Sequence, residues 1–119
     1  MKELLFYILD EDKNVVATKD TLEWGRWFET HREERIIKQT KVLGIWISTV
    51  FLGLDHNFFL SGEPLVFETM IFGGALDQYQ DRYSTLDQSI KGHRRAIWLV
   101  IKTLPLSLIE YLKSKLNNK

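Results

Sequence analysis

The ten residues from Ile45 to Leu54, Ile-Trp-Ile-Ser-Thr-Val-Phe-Leu-Gly-Leu, constrain this chain more than any other stretch. Alternation puts Ile47, Thr49 and Phe51 on one side of a strand and Trp46, Val50 and Leu52 on the other. Both sides are mostly apolar, a pattern suited to the centre of a sheet and not to an edge in water. The rest of the chain must supply that strand with neighbours and a covering layer.

Candidates for both roles follow from local pattern. Glu3 to Leu9 is apolar with aromatics, Asp10 to Asn14 is a polar turn and Val15 to Thr18 is β-branched, so the first eighteen residues predict a β-hairpin. Asp20 with Glu23 makes a capping box for a helix over 21–31, whose Leu22, Trp24, Trp27, Phe28 and His31 form a stripe. The β-branched content of Glu34 to Val42 predicts a strand, with Gly44 aiding the next turn. Leu65 to Phe72 predicts another, closed by Gly73 and Gly74. Tyr79 to Tyr83 suits a short edge strand kept wet by Gln80 and Arg82.

Thr85 with Gln88 caps a second helix over 86–103, with Ile90, His93, Ile97, Ile101 and Leu104 on one face. Pro105 fits the first turn of an amphipathic tail helix carrying Leu108, Ile109, Leu112 and Leu116 and ending near Lys113, Lys115 and Lys119. The expectation is a single α+β domain: an antiparallel sheet of four to six strands packed by two or three helices, with residues 1–104 as core and 105–119 as the tail helix.

Composition narrows the function classes. At 119 residues, 45% hydrophobic and without cysteine, the chain can fold without disulfide or zinc staples and has no thiol nucleophile. The apolar run Leu4 to Leu9 is far shorter than the ~20 residues a bilayer span needs, so no membrane partner is expected. Sixteen basic and sixteen acidic residues cancel. They are not evenly spread, however: from Lys91 onward seven cations face Glu110 alone, leaving +6, whereas residues 1–90 carry nine against fifteen, or −6. A local anion site is open to such a chain; a broad nucleic-acid face is not expected. No P-loop, GxGxxG, GxSxG or HExxH spacing occurs, so neither metal nor cofactor is expected and catalysis is not the default.

Three blocks carry a resemblance: Ser48-Thr49-Val50-Phe51-Leu52-Gly53-Leu54-Asp55-His56, then Phe67-Glu68-Thr69-Met70-Ile71-Phe72-Gly73-Gly74, then Arg82-Tyr83-Ser84-Thr85 with Gly92-His93. In this order, with Trp24-Gly25-Arg26-Trp27-Phe28 before them, the chain resembles a widespread group of small tailed-phage and prophage proteins of unknown function over roughly residues 24–101. It departs from their pattern at Phe59-Leu60-Ser61, where the group is richer in glycine and proline, and in the tail after Leu104. The resemblance implies a phage origin and the cytoplasm of an infected bacterium, and it transfers no catalytic residues.

Each candidate residue has a functional and a structural reading. Asp55-His56 leaves the best strand into a loop and could face a ligand, or cap the loop backbone. Glu68, if its face is covered, needs a cation, and Arg82 or Arg94 could pair with it. His93 lies in an apolar stripe, where a lone histidine is usually a satisfied core residue. Arg94 and Arg95 could hold phosphate or simply be solvated, and Tyr79 and Tyr83, with Trp24 less favoured, could stack a base.

Three functions therefore compete. The first is a non-catalytic phage accessory protein that binds a host protein or a nucleotide-like ligand, for instance to blunt a defence pathway, through Tyr79, Arg82, Tyr83 and Arg94, with Glu68, Asp55 and His56 nearby. The second is a metal-dependent hydrolase or nuclease using Asp55, His56, Glu68 and His93. The third is a homo-oligomerising module whose tail packs on a second copy.

Overall fold

A computed structural model describes residues 5–57 and 62–117. Glu3, Leu4, the departure at Phe59-Leu60-Ser61 and Lys119 lie outside the described residues. Six strands and four helices run in the order β1 (Phe6–Leu9), β2 (Val15–Thr18), α1 (Thr21–Thr30), α2 (Arg32–Arg35), β3 (Ile36–Val42), β4 (Ile45–Phe51), β5 (Phe67–Phe72), β6 (Gln80–Tyr83), α3 (Leu86–Lys102) and α4 (Leu106–Asn117). The architecture is α+β, with its strands divided between a β1-β2 hairpin and a four-stranded sheet of order β3-β4-β5-β6. Both are antiparallel throughout.

The hairpin turn is made by one side chain: Asp10 Oδ1 accepts from the backbone N–H of Asp12 at 2.9 Å and of Asn14 at 2.8 Å. The Asn14 N–H bond holds the Asp10 carboxyl below its ordinary range. Asp20 then caps α1 as its spacing predicts, accepting from Leu22 N–H and Glu23 N–H. The helix docks through aromatic rings, Phe6 on Trp24 on Phe28 at 5.1 and 4.9 Å, while Trp27 meets Phe51 edge-on at 5.8 Å. Trp24 Nε1 donates to Gly53 O at 3.1 Å, and Gly53 has a positive φ of 76°. A side chain at 53 would press on the Phe28 ring and the Trp24 indole, so glycine is required both by conformation and by space.

Among the described residues, three strand boundaries move by two residues or more, and the ends at His31, Tyr79 and Thr103 move by one. The predicted strand from Glu34 starts instead at Ile36, because Arg32–Arg35 makes one more helical turn, closed by Arg35 N–H to His31 O at 3.1 Å. The Arg35 guanidinium lies 3.6 Å over the Phe28 ring, which anchors that turn. The strand predicted to Leu54 stops at Phe51; beyond it Leu54 bridges Phe6, and Tyr7 N–H donates to Gly53 O, tying hairpin to sheet. The strand predicted from Leu65 starts at Phe67, with Val66 fully buried ahead of it.

One face of the four-stranded sheet is covered by α3 and, toward one end, by the hairpin and α1. This layering makes two apolar clusters. Tyr7, Leu9, Phe51, Val66, Phe67 and Tyr83 form the first, with Trp27 and Ile37 against it. Ile47, Ile71, Ala96 and Val100 form the second, with Val42, Ile45 and Tyr79 against it. Thr85 caps α3 by accepting from Gln88 N–H at 3.1 Å. Pro105 separates α3 from α4, and α4 extends from the body: the radius of gyration is 16.6 Å, against about 13.5 Å for a compact chain of this length.

Candidate functional site

The GH pair on α3 is a packing device. A Cβ at Gly92 would overlap the ring and hydroxyl of Tyr83, so glycine lets β6 lie against the helix. One residue on, His93 is 1% exposed and sits where the two apolar clusters meet. Its Nε2 is 2.8 Å from the Thr40 hydroxyl and its Nδ1 2.7 Å from the Thr49 hydroxyl, which in turn is 2.6 Å from that of Thr69. The chain of hydroxyls and imidazole thus stitches β3, β4 and β5 to α3. Burial, with a smaller push from Lys38, lowers the His93 pKa, so the ring is held neutral. With both nitrogens engaged, a general base here would have to give up the hydrogen bond at its accepting nitrogen before it acted.

Asp55 is spent on its loop. Its Oδ1 accepts from Asn57 N–H at 2.7 Å and Leu65 N–H at 2.9 Å, clamping the two ends of the connection from β4 to β5. His56 donates from Nδ1 to the Leu54 carbonyl at 3.0 Å, and its backbone N–H reaches Leu65 O. Among the described residues, no three His, Asp or Glu side chains are grouped to hold a metal ion. Asp55, His56, Glu68 and His93 are not such a group: His93 points into the covered face of the sheet, and Glu68 lies on the opposite face.

Glu68 has one named cation, Arg82, directly across the β5-β6 register, with Arg82 Nε donating to Glu68 Oε2 at 2.9 Å. Glu68 is nearly buried and Arg82 partly so, with side-chain exposures of 11% and 33%, so this end of the face is less open to water than the Trp46 end. Arg94, the other predicted partner, is exposed on α3 and so on the other side of the sheet.

The uncovered face carries the least expected feature. Trp46 is opposite Phe72 in the register, Ser48 opposite Met70, and Ile36 opposite Val50. Trp46, Phe72 and Ile36 leave 44%, 42% and 42% of their surface in water. Lys41, across from Trp46, places its ammonium 5.3 Å from the indole ring. Sequence alternation shows that β4 is apolar on both faces, yet it does not show that one face is left bare. The available signal was on the flanking strands, where Gln39, Lys41, Gln80 and Arg82 share that face.

A shallow groove of about 400 Å³ beside the β6 edge gathers Asp81, Arg82, Tyr83, Gln88, Lys91 and Arg95. It brings together two predicted ligand residues, Arg82 and Tyr83, and adds Arg95 where Arg94 was expected; spacing of three, four and seven along a helix was the missed signal, placing Gln88, Lys91 and Arg95 on one face. Of the two predicted tyrosines, Tyr83 is buried and Tyr79 is partly so. Tyr79 packs against the second apolar cluster, and its pKa is raised chiefly by burial. Tyr83 is 6% exposed; burial, tempered by the neighbouring Thr69 hydroxyl, pushes its phenol up to about 12. No helix among the described residues is long and apolar enough to cross a membrane. No family model, curated protein or solved structure matches the chain.

Proposed function

We propose that this chain is a non-catalytic accessory protein that binds a protein partner through the bare face of its four-stranded sheet. The observation that carries this reading is the apolar patch of Ile36, Trp46, Met70 and Phe72, rimmed by Lys41. Tryptophan, phenylalanine and methionine are enriched where proteins meet, and tryptophan in particular among residues whose loss costs most affinity. The matching partner surface is flat and apolar, with an acidic group facing Lys41. The likeness of the sequence blocks to small phage proteins makes a bacterial host protein, such as a defence component, the natural candidate.

Chemistry receives less support. The polar side chains of the sequence blocks are largely committed to structure: His93 to two threonines, Asp55 to two backbone amides and Glu68 to Arg82. Sequestration of a nucleotide-like ligand has the β6 groove as its best seat. There Arg82 is engaged by Glu68, Lys91 is 3.0 Å from Asp87, and Asp81 adds a carboxylate, so little uncompensated positive charge faces a phosphate.

The test is a pull-down from bacterial lysate with the wild-type chain, the double variant Trp46→Ser/Phe72→Ser, and Trp98→Ser as control. Trp98 on α3 is as exposed as Phe72, at 42%, but lies away from the patch. A stoichiometric partner retained by wild type and Trp98→Ser and lost by the double variant is expected. A partner that survives the double substitution, or tight nucleotide binding abolished by Arg95→Ala, would refute the reading.

A further inference from the structure

α4 and the hairpin end of the molecule are complementary surfaces that do not meet within one chain. α4 makes at most marginal contact with the body, and it leaves Leu106 71% and Tyr111 55% exposed, with Leu108 also in water. Its last turn is basic, with Lys113 and Lys115 following Glu110. At the far side of the hydrophobic core, a cleft of about 720 Å³ opens between the hairpin turn and the α1-α2 corner. Trp27 makes its apolar wall above the buried Leu9, and Asp10, Glu11, Asp12 and Glu34 outnumber Lys13 and His31 around it. No residue of α4 lines this cleft.

We infer that α4 of one copy docks in the acidic cleft of a second copy, with the exchange made reciprocally about a two-fold axis. Three features favour a second copy as the occupant. The two surfaces are opposite in sign, Lys113 and Lys115 outnumbering Glu110 on α4 while four carboxylates face Lys13 around the cleft. An amphipathic helix alone in water gains little, because a helix of about twelve residues is marginal without tertiary packing. A two-fold exchange makes each contact twice, and the second forms as an intramolecular event. Leu108 and Leu112 face Trp27 in this arrangement, and Lys113 and Lys115, on opposite flanks of the helix, meet the two acidic walls of the cleft, Glu11 and Asp12 on the hairpin turn and Glu34 on α2. This surface is separate from the bare sheet face, so a dimer leaves Trp46 and Phe72 open to another protein.

Sedimentation velocity of the full chain at low and high salt tests it, with three variants: Lys113→Glu/Lys115→Glu, Glu11→Lys/Asp12→Lys/Glu34→Lys, and all five substitutions together. Asp10 is left intact because it builds the turn. The expected result is a dimer that weakens as salt rises, a shift to monomer of at least tenfold in dissociation constant for each charge reversal, and recovery when both are combined. Trp46→Ser should leave the dimer unchanged, which separates this inference from the partner-binding surface. A chain that is monomeric at all concentrations overturns the inference. So does a dimer indifferent to both charge reversals, or one dispersed by Trp46→Ser alone.

Discussion

Gly92→Ala should destabilise the protein although alanine is the better helix former, and the reason is one ring. Gly92 sits mid-helix in α3, where replacing glycine by alanine ordinarily gains about 1 kcal/mol. Here the new methyl would occupy the space of the Tyr83 ring. That ring is packed in a cluster with Phe51, Phe67 and Val66, all essentially without solvent exposure, so it cannot move deeper and can yield only toward the β6 groove. An overlap with a ring this deep sits at the upper end of overpacking costs, roughly 2–3 kcal/mol, and expelling the ring instead forfeits roughly 2–3 kcal/mol of burial, so a net loss of about 1–2 kcal/mol remains after the propensity gain. In urea, with a slope of about 1.5 kcal/mol per M for a chain of this size, the midpoint falls by about 1 M. The decisive comparison repeats the substitution in a Tyr83→Leu background, where the shorter side chain ends before the overlap. There Gly92→Ala should become stabilising by about 1 kcal/mol, a coupling of roughly 2–3 kcal/mol between the two sites. An unchanged midpoint in the wild-type background, or an equal loss in both backgrounds, would refute the argument.

Other outcomes follow from the same packing. The Tyr83 hydroxyl is buried beside the Thr69 hydroxyl but makes no well-formed hydrogen bond among the described residues, so Tyr83→Phe should hold or raise stability by up to about 1 kcal/mol in urea melts; a measurable loss would mean the hydroxyl is satisfied by Thr69. His93 has its pKa lowered from 6.5 by burial, so the unfolded chain takes up a proton first as pH falls: stability present above pH 6.5 should decline below it toward the folded value. Urea midpoints between pH 7.5 and 5 should show that slope, and it should shrink in His93→Gln. The two-residue turn between β3 and β4 puts Leu43 at φ 48° and Gly44 at φ 85°, a conformation suited to Asn-Gly, so Leu43→Asn should add roughly 0.5–1 kcal/mol by thermal melt.

Local chemistry was legible in the sequence where it acts over a few residues. Asp20 and Thr85 cap the helices they were expected to cap, and Pro105 separates α3 from α4. The short α2 turn was masked because Ile36 and Ile37 follow it at once, and β-branched residues there favour strand whatever precedes them. Glu68 was legible as needing a cation, yet the choice between Arg82 and Arg94 depends on register and on which face carries α3, both long-range properties. The bare face was hidden for the same reason. An apolar strand face states a preference for cover without naming the element that supplies it, and α4 has a pattern as suitable for that task as for any other.

The three recognisable blocks are accounted for mainly as fold. Thr49, Thr69 and His93 close the polar chain between two apolar clusters, Gly92 admits Tyr83, Gly53 admits Trp24 and Phe28, and Asp55 fastens the β4-β5 connection. Such positions tolerate little change, because an unsatisfied buried hydroxyl or an extra methyl each costs on the order of 1–3 kcal/mol of a total near 10. Residues free to vary at small cost to folding are those in water: Trp46 and Phe72 on the sheet, Lys91 and Arg95 on α3, Leu106 and Tyr111 on α4. If the chain binds a partner, its specificity is therefore written by side chains left in water, some of them, such as Phe72, inside the three blocks and others, such as Trp46, outside them. Substitutions at Trp46 should change what is bound before they change whether the protein folds, and substitutions at His93 should do the reverse.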